Sequence, residues 1–377
     1  MRTLVLMDSF KGSLTSTEAG EAVREGILDM DVSQEVSVYP FADGGEGTLE
    51  AFLSADNKSR KYMVAVCNPL GRVINAEYGV LSGGTVIIES AKACGLNLIG
   101  ITEREPLCAT TYGLGELIKD AIGRGYREYI IGIGGSATND CGLGMLSALG
   151  FEFLDKDNAP VAKSAEGLGN VAHIVTYNAI PELKDCSFTI ACDVRNPLYG
   201  RDGATYVYAR QKGAKDIDLP VMDSAMKSFS DAVKATYKDA DPHAEGAGAA
   251  GGLGFAFKSF LNAKMRPGAE LLIQETDIEN RIKDADIIIT GEGCMDSQTA
   301  MGKAPARIAT IAKKYGKKVI AIVGTVGKDY EKCYAAGIDV IIPTVAEDGD
   351  IIAAMDKDVA KANISRIAAK MAAEYIM

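Results

Sequence analysis

Tryptophan does not occur in this chain of 377 residues, and histidine occurs only twice, at His173 and His243. Neither histidine stands in a His-x-Glu or His-x3-His pattern, which leaves no basis for a zinc centre or a histidine-dependent triad. Acid–base chemistry here must rest on carboxylates, Lys, Tyr or Cys. The eight cysteines form no Cys-x-x-Cys pair. The apolar run after Met1 ends at Asp8, too soon for a signal peptide, so reduced and mostly buried thiols in a cytoplasmic protein are expected. No stretch of 18 apolar residues is present, which excludes a membrane-spanning helix. Basic residues are in deficit, 40 Lys and Arg against 51 Asp and Glu, giving a net charge of -11. That balance argues against nucleic acid or an anionic membrane as the main partner. An anionic ligand would need local donors working against the global field.

Glycine, by contrast, is abundant at 41 residues and strongly clustered. Hydrophobic residues at 47% and charged residues at 24% are ordinary for a globular protein. The length suits two domains or one large one. Short β-branched runs alternate with helical stretches at both ends of the chain. Leu4 to Met7 and Gln34 to Tyr39 read as strands, with a helix from Thr15 opened by a Thr15/Glu18 capping box and another from about Thr48. Near the C-terminus, strands are expected at Asp286 to Thr290, Lys318 to Val323 and Asp339 to Ile342. Helices are expected at Pro305 to Tyr315 and Asp329 to Ala336. The spacing of Ile352, Met355, Val359, Ile364, Ile367 and Met371 predicts one terminal helix docked on the core. Lys61 to Ser90 reads instead as a meander, followed by strands at Glu128 to Ile133 and Ser187 to Ala191. The pattern predicts an α/β fold of two domains. One has a parallel, flavodoxin- or Rossmann-like sheet and is built from residues 1–60 and 276–377. The other is inserted at 61–275 and has a mixed sheet.

Four loops share one design, a strand followed by a Gly-rich polar loop and then a helix. They are Asp8-Ser9-Phe10-Lys11-Gly12-Ser13, Ala42-Asp43-Gly44-Gly45-Glu46-Gly47-Thr48, Gly134-Gly135-Ser136-Ala137-Thr138-Asn139-Asp140, and Gly291-Glu292-Gly293-Cys294-Met295-Asp296-Ser297-Gln298 with Gly302-Lys303. Each alone could be an ordinary turn. Four at strand ends point to an anion site, because free N–H groups and helix dipoles converge there. A fifth stretch, Gly246 to Gly254, matches G-x-G-x-x-G literally. The polar, Pro-containing residues before it make a poor strand, and that pattern needs one. A close-packed helix start, with Gly248 and Gly251 near a phosphate, fits better. No Walker A or protein-kinase signature occurs. In Ala191-Cys192-Asp193-Val194-Arg195-Asn196-Pro197, Asp193 and Asn196 offer hard oxygens suited to Mg²⁺, although an Asx turn accounts for the same residues.

In this order, these segments resemble the type 1 glycerate kinases, which phosphorylate D-glycerate with ATP, and the likeness extends over nearly the whole chain. Met7, Cys141 and Leu114 stand where that family usually has Pro, Gly and Thr. The resemblance implies a two-domain α/β protein, one domain flavodoxin-like and the other similar to a restriction-endonuclease core. It implies ATP and Mg²⁺ as cofactors and favours 2-phosphoglycerate as product. Residues and resemblance together nominate Asp193, Lys11 and Asp43 as catalytic. Ser9, Gly44, Gly45, Gly134, Gly135, Ser136, Asn139, Gly248, Gly251, Gly291 and Lys303 are nominated for the nucleotide phosphates, and Asp140, Asn196, Glu292 and Asp296 for the metal. Arg195, Lys11 and Arg72 are open choices for the glycerate carboxylate, and a homo-oligomer is left open. An NAD-dependent hydroxy-acid dehydrogenase and a non-catalytic phosphometabolite-binding protein are the alternatives.

Overall fold

A computed structural model describes residues 1–346 and 349–377. The chain forms two compact units. The first comprises Met1–Asp43, Glu50–Asn57 and Ala269–Met377, and the second Gly44–Leu49 and Lys58–Gly268.

The first unit is built on a five-stranded sheet in which every pairing is parallel. Its spatial order is Val340–Pro343, Lys318–Val323, Ile287–Gly291, Arg2–Met7 and Glu35–Pro40. Counted along this unit's own strands, that order is 2-1-3-4-5, the flavodoxin-like arrangement, whose switch point lies between the first and third strands. Those two strands are fully buried apart from Arg2, which explains their unbroken runs of Leu, Val and Ile. The helix Ser16–Met30 opens with the expected capping box: Glu18 N–H donates to Thr15 Oγ1 at 3.2 Å and Thr15 N–H to Glu18 Oε2 at 3.0 Å. Val5, Met7, Val23, Ile27, Ile289, Ile320, Ile364 and Met371 share one core.

Two expectations for this unit are corrected. The terminal stretch is not one helix but two, Ile351–Ala354 and Lys357–Tyr375. The break falls where Asp356 caps the second helix by accepting from Asp358 and Val359 N–H. Ile352, 85% exposed, does not reach the core. The helix expected over Asp329 to Ala336 is reduced to Lys332–Ala335, and Asp329 takes a left-handed backbone, φ 58°.

The second unit carries a six-stranded mixed sheet, ordered Lys264–Arg266, Ser187–Ala191, Glu128–Gly132, Val86–Glu89, Val73–Val80 and Arg60–Cys67. The first four strands run parallel and the last two are antiparallel additions. The meander is therefore real, but its last strand also pairs in parallel with Glu128–Gly132. Tyr78, Tyr129, Ile131, Phe188, Leu253 and Phe257 belong to its core. No helix among the described residues is long and apolar enough to cross a membrane.

Candidate functional site

In the first unit, the strands that flank the switch point end in Asp8 and Glu292. Asp8 N–H donates to Gly291 O at 2.9 Å, holding the two loops side by side. A cavity of about 340 Å³ opens there. Its polar wall is made by Asp8, Ser9, Lys11, Asp43, Glu292, Asp296 and Lys303. Its apolar lining includes Phe10, Val345, Ile351, Met355 and Ile364.

The carboxylates are crowded. Burial, and then the charge of Asp43, push Asp8 up to about 8. Burial pushes Glu292 up to about 7, against the hydrogen bond from Thr299 Oγ1 at 2.5 Å. Asp296 caps a short helix, one oxygen accepting from Gln298 N–H at 2.8 Å and Thr299 N–H at 3.4 Å. Lys11 is exposed and Lys303 half-buried on the same cavity. Gly291 stays in the strand, where a Cβ would lie 1.8 Å from Ile322 O. It shapes the sheet rather than the cavity wall. No three acidic, Cys or His side chains among the described residues are gathered closely enough to cage a cation by themselves.

In the second unit, the carboxyl ends of Glu128–Gly132 and Ser187–Ala191 meet the Gly44–Gly45 turn. Gly134 N–H donates to Gly44 O at 3.1 Å. A Cβ on Gly44 would lie 2.7 Å from Ala191 O, and one on Gly134 would lie 2.6 Å from Gly45 Cα. Only glycine allows that approach. Asp193, just beyond the strand Ser187–Ala191, is exposed. Gly248 N–H donates to Asn196 O at 2.9 Å. Gly251 O accepts from Cys141 N–H at 2.9 Å, and a Cβ on Gly251 would meet Thr138 O at 2.2 Å. Gly248 and Gly251 therefore pack beneath the loops. No strand precedes this glycine-rich stretch, and Ala250, Gly251 and Gly252 are left-handed at the start of the helix Ala249–Leu261. The structural context of a dinucleotide motif is missing.

Two of the nominated metal ligands are occupied otherwise. Asp140 is fully buried and accepts from Thr111 N–H, Thr111 Oγ1, Gly142 N–H and Gly144 N–H at 2.7–3.2 Å. Asn196 donates to Asp202 O at 2.8 Å and accepts from Tyr208 O–H at 2.7 Å. Both hold loops in shape. Asn139 is also fully buried and donates to Thr205 Oγ1 at 3.1 Å. Of the open cationic choices, Arg72 is paired to Glu103 at 2.7 Å, and Arg195 faces Glu245 at 3.9 Å.

A family model for the glycerate kinase family matches residues 3–376. The chain belongs to the glycerate kinase family. A glycerate kinase of Bacillus subtilis is 40% identical over 350 residues, covering 92% of this chain and 90% of its own. A glycerate 2-kinase of Escherichia coli is 37% identical over 352 residues, covering 93% and 92%. A crystal structure of a protein assigned as glycerate kinase 2 from Salmonella typhimurium LT2 matches with a TM-score of 0.82 at 36% identity, covering 99% and 98% of the two chains.

Within this member of the glycerate kinase family, three polar residues escaped sequence reasoning. Asp8 and Glu89 each follow a buried apolar strand run, and that signature could have singled them out. Glu89 is 1% exposed and accepts from Gly47 N–H at 3.1 Å and Leu49 N–H at 3.3 Å. Burial raises it to about 7. Lys212 gave no signal, because Arg210-Gln211-Lys212 reads as a basic surface run.

Proposed function

We propose that this chain transfers the terminal phosphoryl group of ATP to D-glycerate, giving 2-phosphoglycerate and ADP, and that it works in the cytoplasm. The observation that carries this reading is the switch-point cavity. Two lysines and four carboxylates share its lining with apolar side chains, and the volume suits a nucleotide better than a three-carbon acid. In this reading Lys11 and Lys303 bind phosphate oxygens, and the Ser9 hydroxyl adds a donor. Mg²⁺ fits this donor set. The oxygens are hard, and like charges crowd Asp8. Among the described residues no three acidic, Cys or His side chains form a complete cage, and a cation that arrives on phosphates needs only one or two carboxylates. Asp8, Asp43, Glu292 and Asp296 are the residues that would hold it. When bound, it would neutralise charge on the transferring phosphoryl group.

In the second unit, Asp193 is the proposed acceptor of the glycerate hydroxyl proton. It is an exposed carboxylate at a strand's carboxyl end, and neither histidine stands in a catalytic pattern. The glycine-rich stretch at Gly246 lacks the preceding strand that a dehydrogenase reading requires. The deciding experiment measures ADP release with D-glycerate and identifies the phosphoglycerate isomer. No ADP would refute the kinase reading, and 3-phosphoglycerate would refute the regiochemistry. Full turnover in excess EDTA would refute the metal assignment.

A further inference from the structure

Lys212 is 2% exposed. It lies in a single turn, Arg210–Lys212, closed by Gly213 at φ 105°, where a Cβ would strike Arg104 O at 2.3 Å. Arg210 and Gln211 stay at the surface, and Arg210 pairs with Asp216 at 2.6 Å. Lys212 alone turns inward. Its Nζ donates to Ser136 Oγ at 2.9 Å and to Thr138 O at 2.6 Å. Both acceptors are neutral. The carboxylate whose charge Lys212 feels is Asp140, and that group's oxygens are taken up by Thr111, Gly142 and Gly144.

A buried ammonium without a paired anion is costly, and a neutral donor would tie the same two oxygens together for less. The surroundings are polar as well. Thr138 Oγ1, Asn139 Oδ1 and Ser90 Oγ are buried and have no hydrogen-bond partner among the described residues. The same loop is open to solvent just before Ser136, with Gly135 exposed at φ 75°, while Gly134 N–H is taken by Gly44 O. Ser136 joins Gly135 to Lys212. Its oxygen accepts from Lys212, which leaves its own O–H to give.

We propose that Gly135 and Ser136, backed by Lys212, form an oxyanion subsite of the second unit that takes a carboxylate or phosphate group of a substrate. Lys212 is a positioning residue. It supplies the positive charge and orients the Ser136 hydroxyl without touching the ligand. This deepens the kinase reading and rests on it for the identity of the anion, which is the carboxylate of glycerate or a phosphate of the nucleotide.

The test compares wild type with Lys212→Met, Ser136→Ala and the double variant, varying D-glycerate and ATP separately. A lost hydrogen bond to a charged group should raise the KM of one substrate by about 10- to 100-fold, leaving the other KM within about twofold and kcat little changed. A rise for glycerate assigns the carboxylate, and a rise for ATP assigns a phosphate. The double variant should lose less than the sum of the two single losses, because Lys212 acts partly through the Ser136 hydroxyl. Unchanged KM values in folded variants, a loss confined to kcat, or additive losses would overturn the subsite. If Lys212→Met does not fold, Ser136→Ala decides. The melting-temperature shifts that D-glycerate and inorganic phosphate give the wild type are measured on it, and loss of neither overturns the proposal. A wild type that makes no ADP from glycerate would fail the kinase reading alone, since these binding shifts do not need turnover.

Discussion

Lys11 and Asp193 share a position at the end of a strand and differ in what surrounds them. Lys11 is exposed on the cavity beside Asp8 and makes no ion pair among the described residues. Its removal should leave folding nearly untouched. Lys11→Ala is expected to lower turnover by roughly 10²-fold, the scale for losing one group at a developing charge, with an unchanged melting curve. Near wild-type kinetics would take Lys11 out of the site. Asp193→Asn keeps the shape and loses the ability to accept a proton. Turnover should fall by roughly 10²–10⁴ while the melting temperature moves by a few degrees at most. A folded variant within about threefold of wild type would make Asp193 a turn residue. Cys141 is a smaller puzzle that the backbone resolves. It stands where the resembled family usually has Gly, and the structure holds it left-handed at φ 49°, a conformation glycine adopts without strain.

Among the elements, the Gly44–Leu49 turn is held from below by Glu89. The folded-state value near 7 lies above the ordinary 4.5. Between those values the native protein keeps a proton that the unfolded chain has released. Glu89 therefore costs nothing extra below about pH 4.5, erodes stability as pH rises towards 7, and imposes its full penalty above that. Both turn N–H groups donate to a single oxygen, Oε2, which the amide of Gln can also supply. Glu89→Gln should gain on wild type by up to about 3 kcal/mol between pH 5 and 8, read from urea denaturation at each pH. A gap that does not change with pH would remove Glu89 as its source. Elements of this kind were half legible in the sequence. The strands, the Thr15 capping box and the close-packed start near Gly251 follow from local patterns. The break at Met355 and the inward turn of Lys212 do not. The first depends on Asp356 capping a new helix inside a continuous apolar spacing. The second depends on Gly213 and a loop more than 70 residues earlier. Two of the four metal nominations show the same dependence on tertiary structure. Asp140 and Asn196 are the right residue types, but only the fold shows that their oxygens are already engaged.

At the scale of the molecule, two units with separate cores predict unfolding that is not all-or-none. The calorimetric enthalpy should exceed the van't Hoff enthalpy. Equal values would show that the two cores melt as one.

The parallel sheet of the first unit also sets an order in time. Arg2–Met7 is an inner strand, paired on one side to Glu35–Pro40 and on the other to Ile287–Gly291. Leu6 O and the Thr290 hydroxyl that bonds it are 284 positions apart. At about 5–20 residues per second on the ribosome, the first strand waits roughly 15–60 s for that neighbour. Throughout that interval Leu4, Val5 and Leu6 present an unpaired apolar edge, while the second unit is already complete enough to fold. A nascent chain arrested before residue 287 should therefore carry a protease-resistant middle and a labile N-terminus, and should draw chaperones to its first forty residues.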